Sequence, residues 1–437
     1  MKLPSLAPFR HRNFGLFWLM RSFGTLSFQV LATAIGWQIY EVARRDGASV
    51  GDAAFLLGLV GLAQFLPLLV ASPFGGQAAD RWNRKHILLA YHTVKMACGL
   101  ALVAVAFGLL GSGEIALAAI FTVAIINGLI NAFAPSASQA MMPMLVPKED
   151  LPAGVALSSL AFSTASIVGP ALAGLAIAIG EGAGGHGAAA AYGLAAAFSL
   201  MALVWCVQLK PPAQEKLSAP RTWALIVEGL RYVGRNKIVL GAISLDLAAV
   251  LLAGATALLP VFARDILKVG PDGLGLMRAA PSMGAAAVAL WLAAMPIQRQ
   301  VGPWMYGSVA VFGLATIGFG LAPTLWWAIA ALAIVGASDM VSVYVRQSLV
   351  QIATPDVMRG RVASTSFIFI SASNELGEFQ SGVFAKLMGP VGAVLFGGVG
   401  AMAVVGAWIR LFPDLWRMDS FEDAERFAEA PGPIKAA

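Results

Sequence analysis

Apolar residues run in long stretches along this chain, and polar residues collect in the short gaps between them. A run of about 20 apolar residues crosses a hydrocarbon core of about 30 Å as a helix. The pattern predicts about twelve such helices: Phe14 to Val42, Ala53 to Ala79, His86 to Leu110, Ile115 to Ala134, Gly154 to Gly180, Gly187 to Leu209, Ile238 to Phe262, Gly273 to Met295, Trp304 to Leu321, Leu325 to Ile352, Val362 to Leu387 and Val391 to Phe412. The expected class is an all-α integral membrane protein.

Composition agrees with that class. The 437 residues are 59% hydrophobic and only 12% charged, with a mean hydropathy of +0.78; soluble domains carry about 25% charged residues. The first apolar run is too long for a cleavable signal and lacks a small-residue cleavage site, so it is expected to stay as a span. Cys98 and Cys206 fall inside apolar helices, as buried thiols do, and suggest neither a disulfide framework nor a metal site. The four histidines, at 11, 86, 92 and 186, have no metal-ligand spacing. No phosphate-binding loop of the Gly-x-x-x-x-Gly-Lys-Ser/Thr type occurs, which argues against an ATP-driven pump. No cofactor is expected, and no enzyme activity.

Charge sets the orientation. With the amino terminus cytoplasmic, that side collects about nineteen Lys and Arg residues, including Arg10, Arg12, Arg81, Arg84, Lys85, Lys210, Lys216, Arg221, Arg231, Arg235, Lys237, Arg359 and Arg361, against about four on the other. Both termini are then inside. The net charge of +6 is explained by topology, and nothing points to nucleic-acid binding.

The longest connection, 210–237, is rich in Pro and charge and divides the spans into two sets of six. The expected organisation is an amino-terminal half at 1–209, a cytoplasmic linker at 210–237, a carboxyl-terminal half at 238–413 and a cytoplasmic tail at 414–437. The halves are related in sequence. Gly61, Leu62 and Pro67 match Gly275, Leu276 and Pro281; at a second constant offset Gly128, Gln139, Pro147, Ser158, Ser163, Gly169 and Gly174 match Gly336, Gln347, Pro355, Ser366, Ser371, Gly377 and Gly382. Two parallel six-helix repeats are one way to build a transporter that rocks one half against the other around a midplane site.

Between the second and third spans lies Gly75-Gly76-Gln77-Ala78-Ala79-Asp80-Arg81-Trp82-Asn83-Arg84-Lys85. It resembles the signature loop of the major facilitator superfamily, Gly-x-x-Ala-Asp-Arg-x-Gly-Arg-Lys, at Gly76, Ala79, Asp80, Arg81, Arg84 and Lys85. It departs at Asn83, where the family has Gly; Asn tolerates the left-handed backbone that Gly supplies. The resemblance implies the major facilitator fold and a conformational latch in this loop. Ser166 to Gly174, with Gly169, Pro170 and Gly174, resembles the Gly-Pro-x-x-x-Gly element in the fifth span of facilitator exporters. Small residues there permit close helix approach, and Pro bends the helix.

Where the repeats differ, charge has been added. Asn131 and Ser138 correspond to Asp339 and Arg346, and Ser166 and Pro170 to Asn374 and Glu378, with Glu375 adjacent. Asp339 and Arg346 share a helix face, as do Glu375 and Glu378. Such groups are costly against lipid and are expected to face the bundle interior. Carboxylates held together away from water exchange protons near neutral pH, as a proton-coupled carrier requires. Asp339, Glu375 and Glu378, with Asp246 behind them, are the proton-coupling candidates, and Asp339 is expected to pair with Arg346. Arg21, Lys95, Arg278, Arg346, Asn131 and Asn374 are candidates for substrate contact or charge pairing. Gln29, Gln64 and Asn127 read equally as packing contacts. Trp18, Phe28, Trp37, Phe65, Phe133, Tyr344 and Phe367 are able to line a cavity for an aromatic ligand, or to pack.

Val345 to Gln351, Thr354 to Val362, Ser371 to Phe379, Trp408 to Pro413 and the opening Phe9 to Phe14 together resemble the catecholate siderophore (enterobactin) exporter branch of the superfamily. The resemblance implies siderophore export. Together with the intramembrane carboxylates the expectation is a proton-coupled exporter of a small organic molecule, monomeric in a bacterial inner membrane; a broad drug or metabolite efflux carrier is the first alternative and a non-transport membrane protein the second.

Overall fold

The computed structural model describes residues 5–111, 113–212 and 222–427, without the side chains of 222–226, Val357, Ser364 and Phe367. Residues 213–221 of the linker and 428–437 of the tail lie outside it. Every regular element in the described residues is helical. Among the described residues ten helical segments are long and apolar enough to cross a membrane.

By contacts the chain forms two compact units. The first comprises residues up to Ala219 together with Thr256–Ser282. Its helices are α1 (Arg12–Arg45), α2 (Val50–Arg81), α3 (Arg84–Ala106), α4 (Glu114–Asn131), α5 (Ala134–Met141), α6 (Leu151–Gly182) and α7 (Gly187–Gln208). Within it α1 packs on α6 and α7, α3 on α7, and α2 on α4. The helix starts are encoded locally. Ser49 caps α2 by accepting from the Asp52 amide at 3.1 Å and donates its hydroxyl to the Asp52 carboxylate at 2.7 Å, a reciprocal cap.

The second unit comprises Pro220–Ala255 and Met283–Ala437. It begins with α8 (Thr222–Arg235) and α9 (Lys237–Leu252). After α9 the chain enters the first unit through the one-turn α10 (Leu259–Val261) and a π-turn at Phe262–Ile266, and α11 (Gly270–Ala294) carries it back. Then follow α12 (Val301–Gly320), α13 (Leu325–Ile352), α14 (Asp356–Leu411) and the short α15 (Pro413–Trp416). Asn236 caps α9 by accepting from the Ile238 and Val239 amides, both at 3.1 Å. α14 contains one non-helical residue, Gly389 at φ 81°, followed by Pro390. Gly adopts that left-handed angle without steric cost, and Pro lacks the amide to continue the ladder, so two arms meet there.

Close helix approach is bought with glycine in both units. A Cβ on Gly75 would sit 2.1 Å from the Ala132 carbonyl oxygen, and one on Gly128 2.1 Å from that of Gln64. In the second unit a Cβ on Gly284 would meet the Ala333 oxygen at 1.8 Å. Leu69, Val70, Phe74, Leu109, Trp326 and Leu387 are exposed. Such a surface suits lipid, where a helix satisfies its own backbone and needs no polar coat.

Candidate functional site

The second unit holds a buried ion pair. Arg346 on α13 donates to Asp246 on α9 at 3.2 Å, with side chains 4% and 7% exposed. Asp339, two turns before Arg346 on α13 and half-buried, lies within electrostatic reach of both. The sequence reading paired Arg346 with Asp339; the structure gives the ion pair to Asp246. Arg346 and Asp339 share a helix face but stand two turns apart, whereas α9 brings Asp246 directly alongside the guanidinium. One cation thus serves two carboxylates. Glu375 and Glu378 lie half-buried on the first arm of α14, where Gly377 packs against the Val250 and Leu251 carbonyls of α9; Asn374 beside them is exposed.

The basic loop closes the end of the first unit. Arg84 donates to the Ala79 carbonyl at 3.1 Å and the Ala140 carbonyl at 3.0 Å, and Lys85 to the Val207 carbonyl at 2.8 Å. Those acceptors sit in the last turns of α2, α5 and α7. Two cations thereby satisfy carbonyls at three helix C-termini, where positive charge also complements the helix dipole. Asp80 lies in the last turn of α2 and Arg81, its final residue, is exposed. Asn83 does not use the left-handed backbone expected of it. It is extended at φ −63° and ψ 115°, and its side chain accepts from the Lys85 amide at 2.9 Å as the N-cap of α3. Asn suits that place because its amide oxygen satisfies an orphan helix donor, a task Gly cannot perform. The close packing beside the loop belongs to Gly75; around a Cβ on Gly76 there is open space.

The Gly-Pro element of α6 makes two close contacts within the first unit. A Cβ on Gly169 would lie 2.5 Å from Cβ of Gln29 on α1. One on Gly174 would lie 2.4 Å from the Pro271 oxygen and 2.9 Å from Cα of Gly275, both on α11. Arg278, farther along α11, approaches α1 near Gly36.

Lys95 on α3 is the most deeply enclosed cation of the first unit, 2% exposed. Its Nζ lies 4.7 Å from the ring centre of Phe28 on α1 and 5.6 Å from that of Tyr91, and among the described residues it makes no ion pair or hydrogen bond. Tyr91 donates its hydroxyl to Asn131 on α4 at 3.2 Å. Buried His92 packs against Gly24 of α1, and its Nδ1 has no partner; neither polar atom of buried Asn127 has one. Cation–π contacts contribute about 0.5–2 kcal/mol, against several kcal/mol to desolvate an ammonium. The rings alone do not offset the burial.

Residues 3–434 match a major facilitator family described as Transmembrane secretion effector. The chain belongs to this family. It is therefore a multi-pass secondary transporter and not an enzyme. Enterobactin exporter EntS of Shigella dysenteriae serotype 1 is 29% identical over 397 residues, covering 90% of this chain and 86% of that one. EntS of Escherichia coli O157:H7 is 28% identical over the same extent. Among solved structures, a POT family transporter in complex with 5-aminolevulinic acid superposes with a TM-score of 0.70 at 14% identity, over 92% of this chain and 96% of that one. The inward open xylose transporter XylE from E. coli gives 0.67 at 13%, over 95% and 100%. These two likenesses concern the fold alone.

The transporter also holds a charge network that the sequence reading missed. At the end of α1 within the first unit, Arg44 pairs with Asp265 at 3.1 Å, Tyr40 donates to the same carboxylate, and Glu41 pairs with Arg264 at 3.1 Å and Arg45 at 2.8 Å. Trp37 donates to Glu181 at 3.2 Å. The π-turn aims Arg264 and Asp265 together, and no sequence period announces such a turn. The other aromatic candidates mostly pack: Phe65 is buried, Trp18 donates to the Leu157 carbonyl at 3.0 Å, and Tyr344 meets Phe421 edge-on. Phe133 lines a groove of about 510 Å³ with Trp82, His86, Ala90, Tyr91 and Val94. The linker, read only as charged and Pro-rich, contains the amphipathic α8; its Tyr232 donates to the Ala353 carbonyl at 2.6 Å and its Glu228 pairs with Arg361.

Proposed function

We propose that this transporter is a proton-coupled exporter of a small organic molecule of the siderophore type. It works by alternating access in a bacterial inner membrane, as a monomer with both termini cytoplasmic. The observation that carries the coupling is the buried Asp246–Arg346 pair with Asp339 in reach. Two carboxylates sharing one guanidinium do not both need their charge, so one is free to take a proton while the other keeps Arg346 compensated. Kinship with proteins named enterobactin exporters supports the siderophore and the direction.

Twelve spans in two repeats are part of the same reading: α1 and the two arms of α14 complete the count. A register within the units supports it. His86, Ala90, Tyr91 and Val94 of the groove on α3 correspond at one constant offset to Pro303, Gly307, Ser308 and Val311, which line a groove of about 570 Å³ in the second unit. That repeat supports halves at 1–209 and 238–413 joined by the linker 210–237, although by contacts Thr256–Ser282 groups with the first unit, and the Lys and Arg asymmetry supports the orientation.

Purified protein in proteoliposomes, loaded with enterobactin and given an inward-directed proton gradient, tests the reading. Efflux should accelerate with the gradient and collapse with a protonophore. Efflux at the same rate in both conditions would refute proton coupling.

A further inference from the structure

The mid-span charges of the first unit have one sign. The sequence has no Asp or Glu in residues 1–40, 53–79, 81–113, 115–148, 151–180 or 182–214, so the acids of α1 to α7 all lie near helix ends. Lys95 and Arg21 sit between those ends, and neither makes an ion pair among the described residues. An enclosed cation without a counter-ion is the complement of an anion that comes and goes.

The surroundings of Lys95 say what kind of anion. Gly24 meets His92 and Phe28 covers Lys95, so these two contacts advance along α1 and α3 in the same direction, with Arg21 one turn before Gly24 on the same face of α1. Asn131 receives the Tyr91 hydroxyl, which puts Asn127, one turn back along α4, at the level of Lys95. Its amide is buried with both polar atoms unpartnered, as is Nδ1 of His92. Unpaired buried polar groups of this kind are rare unless a ligand or water completes them. Phe28 covers the ammonium yet is itself 38% exposed, so its ring is available for a second ring to stack on.

We infer that Lys95, flanked by Tyr91, His92 and Asn127 and covered by Phe28, binds an oxyanion borne on an aromatic ring, such as an aromatic carboxylate or phenolate. The ring stacks on Phe28, Lys95 neutralises the oxygen, and that oxygen accepts from Nδ2 of Asn127 and from Nδ1 of His92 in the tautomer that protonates it. This deepens the exporter reading and rests on it for the idea that the anion is cargo: the first unit recognises the acid group of the substrate.

Equilibrium dialysis of the purified full chain against salicylate and its neutral analogue salicylamide tests the site without requiring transport. Wild type should bind salicylate at least about tenfold more tightly than salicylamide. Lys95→Met should abolish that preference with salicylamide binding unchanged, and Lys95→Arg should retain it. Phe28→Ala should weaken both ligands while keeping the preference, a readout that remains if Lys95→Met does not fold. Equal binding of the two ligands by wild type, or an undiminished preference in Lys95→Met, overturns the site. Preferential binding that depends on Lys95, in protein that moves no siderophore in proteoliposomes, upholds the site and refutes the exporter reading alone.

Discussion

Arg346 gives its ion pair to Asp246 on a neighbouring helix, at 3.2 Å, while Asp339 on its own helix stays within electrostatic reach. The two carboxylates therefore stand differently to the guanidinium, one in direct contact and one at a distance. Asp246→Asn leaves a buried guanidinium without its partner and should cost about 3–5 kcal/mol of stability. Asp339→Asn keeps the pair and should melt close to wild type while losing uphill flux. Thermal melting and gradient-driven efflux of both variants separate the roles, and equal melting losses would show that Asp339 holds Arg346 as firmly as Asp246 does.

Glycine substitutions around the basic loop should sort by space. Gly75→Ala drives a methyl into the Ala132 carbonyl and should sharply reduce the yield of folded protein, whereas Gly76→Ala meets nothing within 4 Å and should express normally. Gly174→Ala should behave like Gly75→Ala, because the Pro271 oxygen stands 2.4 Å away on backbone that cannot swing aside. Size-exclusion yield reads all three. A monodisperse Gly75→Ala protein at wild-type yield would contradict the packing described.

Within the loop, charge and capping should part company. Arg84→Ala removes hydrogen bonds to the ends of α2 and α5 and should cost about 1–3 kcal/mol. Asp80→Asn should spare stability and substrate binding yet slow flux, since a latch acts on the balance of two conformations. Normal flux in Asp80→Asn would remove the latch from the mechanism.

How much of this was legible depends on the range of the interaction. The spans follow from apolar run length, and the loop from its Asp, Arg and Lys residues. Partners are set by tertiary packing, so the sequence put Arg346 with the acid on its own helix face and named Asp246 as a candidate without its partner, which only α9 brings near. Asn83 read as a stand-in for Gly because a motif records residue types and not dihedral angles. Lys95 was visible as an intramembrane charge; Tyr91 and His92 were not, since aromatic and histidine side chains on an apolar helix carry no distinguishing period. The Arg44–Asp265 pair depended on a π-turn, which has no sequence signature.

Orientation has its own test. Single cysteines at Asn83, Glu215 and Asp356, in a background lacking Cys98 and Cys206, should be modified only by a thiol reagent that reaches the cytoplasm. Labelling of all three by an impermeant reagent on intact cells would invert the topology.

If proton movement and export are one process, proton flux measures that coupling most directly. Vesicles containing a pH-sensitive dye and no imposed pH gradient are loaded with substrate and diluted, and internal pH is followed as substrate leaves. Wild type should acidify the lumen in step with efflux, while Asp339→Asn and the Glu375→Gln and Glu378→Gln variants are compared for loss of that signal, at least one of them retaining downhill substrate movement without it. Substrate efflux by wild type with no accompanying change in internal pH would contradict the account.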